Sequence, residues 1–422
     1  MMKYVIIGAS ASGLACAEQI RKEDKSGTIT VITKEKYMPY SRPSISYYIK
    51  GVVKEHDMLL RKNSFYRANR IEVVTNTEVK AIDRKNKTVK AGRKTYQYDK
   101  LCLCTGSKPF VPPMKNVSGK DNALTFLDLE STKAVKVKAN ENTKAVVIGA
   151  GLIGMKAAEG LSKICKSVDV VELSPRILPS ILDAKSSKGV KKYVEENGHI
   201  KFHLGDTVTE AKSRGRRINS VVLKSGRELE CDLLILAVGV RPETALAESA
   251  GLTVDRGIIV DSQTVQTSDK DIYAAGDCTV STDMLDGSKK IIALWVHAVQ
   301  QGKIAGSQMA GGGETLGGSY AVNAIDFYGL RICTCGLINA AGEQYSDTVT
   351  QDGDKYKRLI FEGNKLVGFV LINCSENAGI YTSLIENQTD ITTLDGDITD
   401  TPSLFLFDRA VRQSRLKGEL EQ

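Results

Sequence analysis

The sequence predicts an α/β protein with two Rossmann-like dinucleotide-binding domains and a C-terminal α+β domain. Three observations carry this. A glycine-rich turn follows a short apolar run twice, about 140 residues apart. Each turn opens a run of small residues that reads as a helix. Each is followed, near the distance a Rossmann unit requires, by an acidic residue at the end of a second apolar strand. The length of 422 residues agrees, since it fits about three domains at ~150 residues each.

The first turn is Val5-Ile6-Ile7-Gly8-Ala9-Ser10-Ala11-Ser12-Gly13, and a helix is expected over 14–21. A strand is expected over 28–33, and Glu35 lies 22 residues past Gly13. The second turn is Val146-Val147-Ile148-Gly149-Ala150-Gly151-Leu152-Ile153-Gly154, with a helix expected over 155–164. A strand over 168–171 ends at Glu172, 18 residues past Gly154. Helix N-termini attract a pyrophosphate, so each turn predicts one bound dinucleotide. An acid at the strand end accepts bonds from a ribose diol and repels a 2′-phosphate. Glu172 therefore favours NADH over NADPH, with Arg176 near enough to soften the preference. The first turn departs from the pattern at Ser10, where the middle glycine is expected. Serine is small, so close approach of the backbone to a pyrophosphate survives.

Between and after the turns, two apolar strands end at a glycine. One is Leu101-Cys102-Leu103-Cys104-Thr105-Gly106-Ser107 and the other Leu233-Leu234-Ile235-Leu236-Ala237-Val238-Gly239. Pro109, Pro112 and Pro113 follow the first, and Arg241-Pro242 the second, so both read as exit loops. The strand Asp271-Ile272-Tyr273-Ala274-Ala275-Gly276-Asp277 delivers a carboxylate to its C-terminal end, where open parallel sheets bind ligands. Further on, 356–361 and 366–372 flank Glu362-Gly363-Asn364-Lys365 and read as a hairpin.

Other chemistry is weakly supported. The nine cysteines form no Cys-x2-Cys, so no zinc or iron–sulfur site is expected. An odd count without a framework fits a reducing compartment and cysteines used as small core residues. Cys102 and Cys104 alternate with leucines, as do Cys333 and Cys335 with other strand residues. The four histidines do not cluster, and His199 and His203 fall on a strand, so no metal site is expected. Lys3, an apolar stretch and Ala15-Cys16-Ala17 imitate a signal peptide, but cleavage there would remove the first glycine turn. The longest apolar runs are too short to span a bilayer, so a cytoplasmic location is expected.

These elements, in this order, resemble a family of flavoproteins with two dinucleotide domains. It includes rubredoxin, ferredoxin and putidaredoxin reductases, NADH oxidases and coenzyme A-disulfide reductases. The resemblance rests on both glycine turns, the Thr105-Gly106 and Val238-Gly239 exits, Ala275-Gly276-Asp277, and Leu294-Trp295-Val296-His297-Ala298 with Gln301-Gly302. It covers about residues 1–320. It implies a discontinuous FAD domain over 1–112 and 252–318, an inserted NAD domain over 113–251 and an interface or docking domain over 319–422. Gly311-Gly312-Gly313 and Gly317-Gly318 mark the last boundary as a joint. The resemblance further implies that Gly8, Ser10, Ser12 and Gly13 hold the FAD pyrophosphate, Glu35 its adenosine ribose and Asp277 its ribityl chain. Arg42, Pro43, Val79, Thr105, Gly106 and Gly276 join them at FAD. Ala298 would begin a helix whose N-terminus faces the flavin and stabilises its reduced, anionic form. Gly149, Gly151, Ile153, Gly154, Glu172 and Gly239 would hold NAD(H).

Two departures bear on mechanism. Pro43 stands where oxidases and coenzyme A-disulfide reductases of the family carry their cysteine, and no cysteine lies between Cys16 and Cys102. A sulfur relay in that segment is excluded. No histidine follows His297, so the family's C-terminal His-Pro acid–base is absent too. The second departure is paired. Relatives place a lysine where this chain has Tyr47, and a glutamate where it has Lys156. The expectation is that Lys156 supplies the positive charge beside the flavin, with an ordinary solvated helix lysine as the alternative.

Lysine and arginine number 58 against 50 acids, a net charge of +8. A basic surface steers a small acidic electron carrier. No aromatic–basic interleaving accompanies it, so nucleic acid is not an expected partner. The reading is an FAD-dependent NADH oxidoreductase that passes electrons to a protein carrier of rubredoxin or ferredoxin type. An oligomer is compatible with it. The alternatives are a thiol-independent NADH oxidase and a flavin-bearing subunit of a larger redox complex. An amphipathic helix expected over 403–422, with Leu404, Phe405 and Phe407 at its start, suits the subunit.

Overall fold

The computed structural model describes residues 1–400, 403–407, 409, 410, 412 and 413. The chain divides into two compact units, 1–175 with 198–319, and 176–197 with 320–422.

The first unit holds two five-stranded parallel sheets. One runs in the order Ile272–Ala274, Lys100–Leu103, Lys3–Ile7, Thr28–Ile32, Ile71–Val74. The other runs Ile200–Leu204, Ser167–Glu172, Lys144–Ile148, Leu233–Leu236, Ala123–Thr125. In each sheet the strand preceding the glycine turn lies between its sequence successor and a later strand. That reversal of order is the topological switch point at which open α/β sheets bind ligands.

Strand alternation explains the core of the first sheet. Tyr4 and Ile6 face one side, packed with Leu14, Ile20, Cys102 and Ile304. Val5 and Ile7 face the other, with Leu101, Leu103, Ile82 and Val89. Both faces are covered, so the strand is apolar throughout rather than alternating. Ile6 is fully buried, a contribution of about 2–3 kcal/mol.

Helices Ala11–Glu23 and Leu152–Leu161 begin three residues earlier than the sequence predicts. The turn itself supplies their first residues, because Ser10 and Gly151 are the N-caps. Helix Ala11–Glu23 packs closely on helix Trp295–Ala310. A Cβ on Gly302 would stand 2.3 Å from the Ser12 carbonyl oxygen, and one on Gly306 2.5 Å from that of Cys16. Each parallel sheet is accompanied by a three-stranded antiparallel one. These are Val79–Asp83, Thr88–Ala91, Lys94–Gln97, and Val208–Arg214, Arg217–Leu223, Glu228–Glu230.

The second unit is built on an antiparallel sheet ordered Val322–Phe327, Leu330–Gly336, Lys365–Ile372, Lys355–Glu362, Tyr345–Asp352. The expected hairpin is there. Glu362 pairs with Lys365, and Gly363 takes a left-handed conformation that glycine adopts without strain. Helix Ala378–Glu386 packs on Lys365–Ile372. Segment 176–197 belongs to this unit: Tyr193 donates to the Tyr328 carbonyl at 3.0 Å, and Tyr356 to Asp183 at 3.2 Å. Most of the amphipathic helix expected over 403–422 lies outside the described residues. Its start is a single 3-10 turn, Leu404–Leu406.

Candidate functional site

The two glycine turns share one construction. Gly8 N–H donates to the Ile32 carbonyl at 2.8 Å, and Gly149 N–H to that of Val171 at 2.8 Å. Both have φ near +100°, a conformation that disfavours any side chain. A Cβ on Gly8 would meet the Cys104 carbonyl oxygen at 2.0 Å, and one on Gly149 that of Ala237 at 2.3 Å. Gly13 and Gly154 pack back on their own turns, where a Cβ would stand 1.9 and 2.0 Å from the oxygens of Gly8 and Gly149. The middle position differs. Gly151 has an extended backbone, and a Cβ there would meet nothing within 4 Å. Ser10 has an extended backbone as well, which is why a serine fits.

Neither helix start has a side-chain cap or an acid in its first turn. Neither helix carries an acid of its own against the partial positive charge of its N-terminus, which suits an anion. This donor set fits the pyrophosphate of a dinucleotide at each turn.

The acids are held differently. Glu35 is ion-paired with Arg42 and accepts from the Tyr40 hydroxyl at 2.7 Å. Arg42 also donates to the Leu127 carbonyl at 3.3 Å, and Tyr40 accepts from Leu129 N–H at 2.9 Å. Ala9, Ser10, Thr33, Glu35, Met38, Tyr40 and Arg42 line one pocket, so the first turn and its acid share a cavity. Ile153 lies in the first turn of helix Leu152–Leu161. Glu172 is bound by backbone instead, accepting from Ala150 N–H at 2.6 Å and Ser174 N–H at 2.7 Å.

The two exit loops are joined. Strands Ser107–Pro109 and Val240–Pro242 form an antiparallel ribbon. Phe110 N–H donates to the Gly239 carbonyl, Glu243 N–H to that of Gly106, and the Thr105 hydroxyl to that of Glu243 at 2.7 Å. Gly106 and Gly239 both have positive φ and open space where a Cβ would stand. Ser107 donates to Asp277 at 3.0 Å, and burial holds the Asp277 carboxyl above the usual range.

Gly276, with positive φ, lies between two helices. A Cβ there would stand 2.8 Å from Ser12 Oγ and 3.5 Å from Ala298 Cβ. Ala298 does not begin its helix. Leu294 is the N-cap, the helix starts at Trp295, and Ala298 N–H makes a helical bond to the Leu294 carbonyl. With no Ser, Thr, Asp or Asn at the cap, the true start carries no sequence signal. Pro43 lies exposed in a 3-10 turn, Arg42–Ser44. Val79 opens strand Val79–Asp83 and packs against the core beside Ile82 and Val89.

Lys156 is neither a solvated lysine nor a lone charge. It bonds Glu159 at 2.7 Å, and Lys50 bonds the same carboxylate at 2.7 Å. Both ammonium groups lie over the Tyr47 ring, at 5.4 and 5.2 Å. Glu159 is buried, so an uncompensated charge there would be costly. Lys50 and Glu159 escape the sequence reading. Their only signal is that each stands three residues, one helical turn, beyond the position first considered.

Six of the nine cysteines are buried, and Cys165, Cys333 and Cys374 are partly so. Cys102 and Cys104 sulfurs lie 3.5 Å apart and buried. The bond with Cys102, together with burial, holds the Cys104 thiol well above the usual range, and burial pushes Cys278 up to about 12. Shifts in this direction disfavour the thiolate form that a relay uses. Among the described residues there is no grouping of three His, Cys, Asp or Glu suited to a metal, and no helix is long and apolar enough to cross a membrane.

Residues 2–302 match the pyridine nucleotide-disulphide oxidoreductase family, and residues 322–389 match the rubredoxin NAD+ reductase C-terminal domain. An NADH oxidase of Methanocaldococcus jannaschii is 37% identical over 74% of this chain and 70% of its own. The epsilon subunit of an NADH-dependent phenylglyoxylate dehydrogenase from Aromatoleum evansii is 30% identical over 93% of each chain. The crystal structure of a ferredoxin reductase from Rhodopseudomonas palustris superposes with a TM-score of 0.85, at 26% identity, over 93% of this chain and 96% of that one.

Proposed function

We propose that this chain, which belongs to the pyridine nucleotide-disulphide oxidoreductase family, takes hydride from NADH onto FAD and passes the electrons to a small acidic carrier protein. The observation that carries this is the pair of like-built glycine turns, each at the switch point of its own parallel sheet within one compact unit. FAD, when bound, converts a two-electron hydride into single electrons. The chain binds and orients. Gly8, Ser10, Ser12 and Gly13 receive the FAD pyrophosphate at the N-terminus of helix Ala11–Glu23. Glu35 takes the adenosine ribose, and Asp277 the ribityl chain. Arg42, Pro43, Val79, Thr105, Gly106, Gly276 and Ala298 complete that site. Gly149, Gly151, Ile153, Gly154, Glu172 and Gly239 receive NADH. Lys156 acts within the Lys50–Glu159–Lys156 cluster, where Glu159 tempers its charge. In this reading the FAD domain is 1–112 with 252–318, the NAD domain 113–251, and the docking domain 319–422. The net charge of +8 supports an acidic carrier, and the chain works in the cytoplasm.

The test is an anaerobic NADH titration. About one equivalent per FAD should bleach the flavin, with no thiolate-to-flavin charge-transfer band, and thiol alkylation should leave the reaction intact. A second equivalent, lost on alkylation, would sink the thiol-free mechanism. An acceptor panel run on the reduced enzyme distinguishes a carrier protein from dioxygen.

One observation favours a second reading. The epsilon subunit of the phenylglyoxylate dehydrogenase matches along nearly its whole length, rather than in the dinucleotide domains alone. On that reading the chain docks into a larger oxidoreductase and wires it to NADH. Size-exclusion of the native protein from its source separates the two: a free reductase elutes near 46 kDa or a small multiple of it, whereas a subunit co-elutes with unlike chains.

A further inference from the structure

One buried polar chain belongs to none of the roles above. Gln301 is fully buried in helix Trp295–Ala310. Its side-chain oxygen accepts from Gly276 N–H at 2.8 Å and lies 3.1 Å from the Thr279 hydroxyl. Its side-chain NH2 donates to Ser281 Oγ at 3.1 Å. The Gly276 N–H fixes which way the amide points, because only the oxygen can face a donor. Ser281 lies 2.9 Å from His297 Nε2. The Ser281 hydroxyl thus carries both contacts, one with the Gln301 amide and one with the His297 ring.

The chain joins two pieces of backbone. One is the Gly276-Asp277 turn, which leaves the end of strand Ile272–Ala274. The other is the first two turns of helix Trp295–Ala310. Gly276 stands against Ser12 on one side and Ala298 on the other, so the turn is wedged where two uncapped helix N-termini converge. Among the described residues Gln301 alone accepts from Gly276 N–H, and the sheet does not reach it: strand Ile272–Ala274 ends two residues earlier.

We propose that Gln301 is a positioning residue for the flavin. Its amide locks the Asp277 turn to the N-terminal end of helix Trp295–Ala310, so that the carboxylate and the helix dipole address the cofactor in one fixed relation. Ser281 holds the amide in that orientation. The inference rests on reading Gly276, Asp277 and this helix as parts of the FAD site.

The test uses the holoenzyme. Gln301→Met keeps the side-chain length and removes both hydrogen-bonding ends. Ser281→Ala removes only the support and is the milder variant if Gln301→Met folds poorly. Ile20→Val, in the core of helix Ala11–Glu23, serves as a control for general loss of stability. Three quantities are read: the rate of FAD release, the visible flavin spectrum and the flavin midpoint potential. Gln301→Met should release FAD about tenfold faster, the size expected when one or two buried hydrogen bonds go. It should also shift the potential, with Ser281→Ala moving both in the same direction by less. Ile20→Val should lower the melting temperature and leave all three unchanged. Release and potential at wild-type values in Gln301→Met, or in Ser281→Ala should that be the variant that folds, overturn the inference. Asp277→Ala keeps the two levels apart. If it sheds FAD while Gln301→Met does not, the site reading stands and the positioning role falls. A wild-type chain that takes up no FAD removes both.

Discussion

In the first glycine turn the acid is gripped by side chains, and in the second by backbone. Arg42 and Tyr40 hold Glu35, and both are tied in turn to segment 127–129. Glu172 takes two backbone N–H groups from its own sheet edge, those of Ala150 and Ser174. Apart from the middle residue, Ser10 against Gly151, the rest of the two turns agrees in kind: the N–H closure, the positive-φ first glycine and the uncapped helix. The repeated part is thus the phosphate-facing backbone, and the part that varies is the support of the acid. A backbone-held acid keeps its place whatever neighbours it has. A side-chain-held acid depends on residues elsewhere in the chain, and ties the first turn to them.

The largest effect should come from attacking what the two turns share. Gly8→Ala and Gly149→Ala each place a methyl within 2.0–2.3 Å of a carbonyl oxygen at positive φ. Each should cost more than about 3 kcal/mol, read by denaturant unfolding. A loss at one turn only would show that the likeness is superficial.

A buried histidine belongs to the first site alone. Burial lowers the His297 pKa from 6.5 to about 4. The unfolded chain therefore binds a proton that the folded chain refuses, and stability should fall as pH drops from about 6.5 to about 4. The total should be about 3 kcal/mol, levelling off below that window. His297→Asn should flatten this segment of the stability–pH curve; an unaltered slope would assign the dependence to other groups.

The acids give the next contrast. Glu35→Gln removes the counter-charge of Arg42 and should cost about 2 kcal/mol in stability. Glu172→Gln keeps an acceptor for the backbone and should act on nicotinamide choice, lowering the kcat/KM ratio of NADH to NADPH by about tenfold. Interchanged outcomes would break the comparison. The smallest effect belongs to the middle position. Ser10→Gly and Gly151→Ser should each change stability by under about 0.5 kcal/mol, since the backbone is extended at both and Gly151 has open space beside it. Weaker NADH binding in Gly151→Ser alone would show that the ligand, and not the fold, demands glycine there.

What was legible in the sequence was local. Glycines that need positive φ, apolar strands and acids at strand ends are written within a few residues of one another, so both turns and their sheets could be read directly. Helix Trp295–Ala310 entered only through the family resemblance, which began it at Ala298; its true start escaped because Leu294 caps it without a capping side chain. The Lys50–Glu159–Lys156 cluster was not, since two helices distant in sequence must first pack, with Gly160 set against Ile49, before those charges meet. Nor does the 176–197 segment announce that it folds with 320–422, because its own composition fits a crossover helix equally well.

The ribbon between Ser107–Pro109 and Val240–Pro242 has a topological consequence. The chain leaves for its second glycine turn and returns from it on adjacent strands, one strand spacing apart, with Val240 facing Pro109. About 130 residues thus leave and return through a doorway two strands wide, while Leu127 and Leu129 at Arg42 and Tyr40, and Glu159 at Lys50, tie them further to the first turn's side. Joining Pro109 to Val240 through a short hairpin turn asks for no movement at that threshold. A chain that acquired its second nucleotide site by insertion, or that was later to shed it, would need to solve no new geometry at the junction.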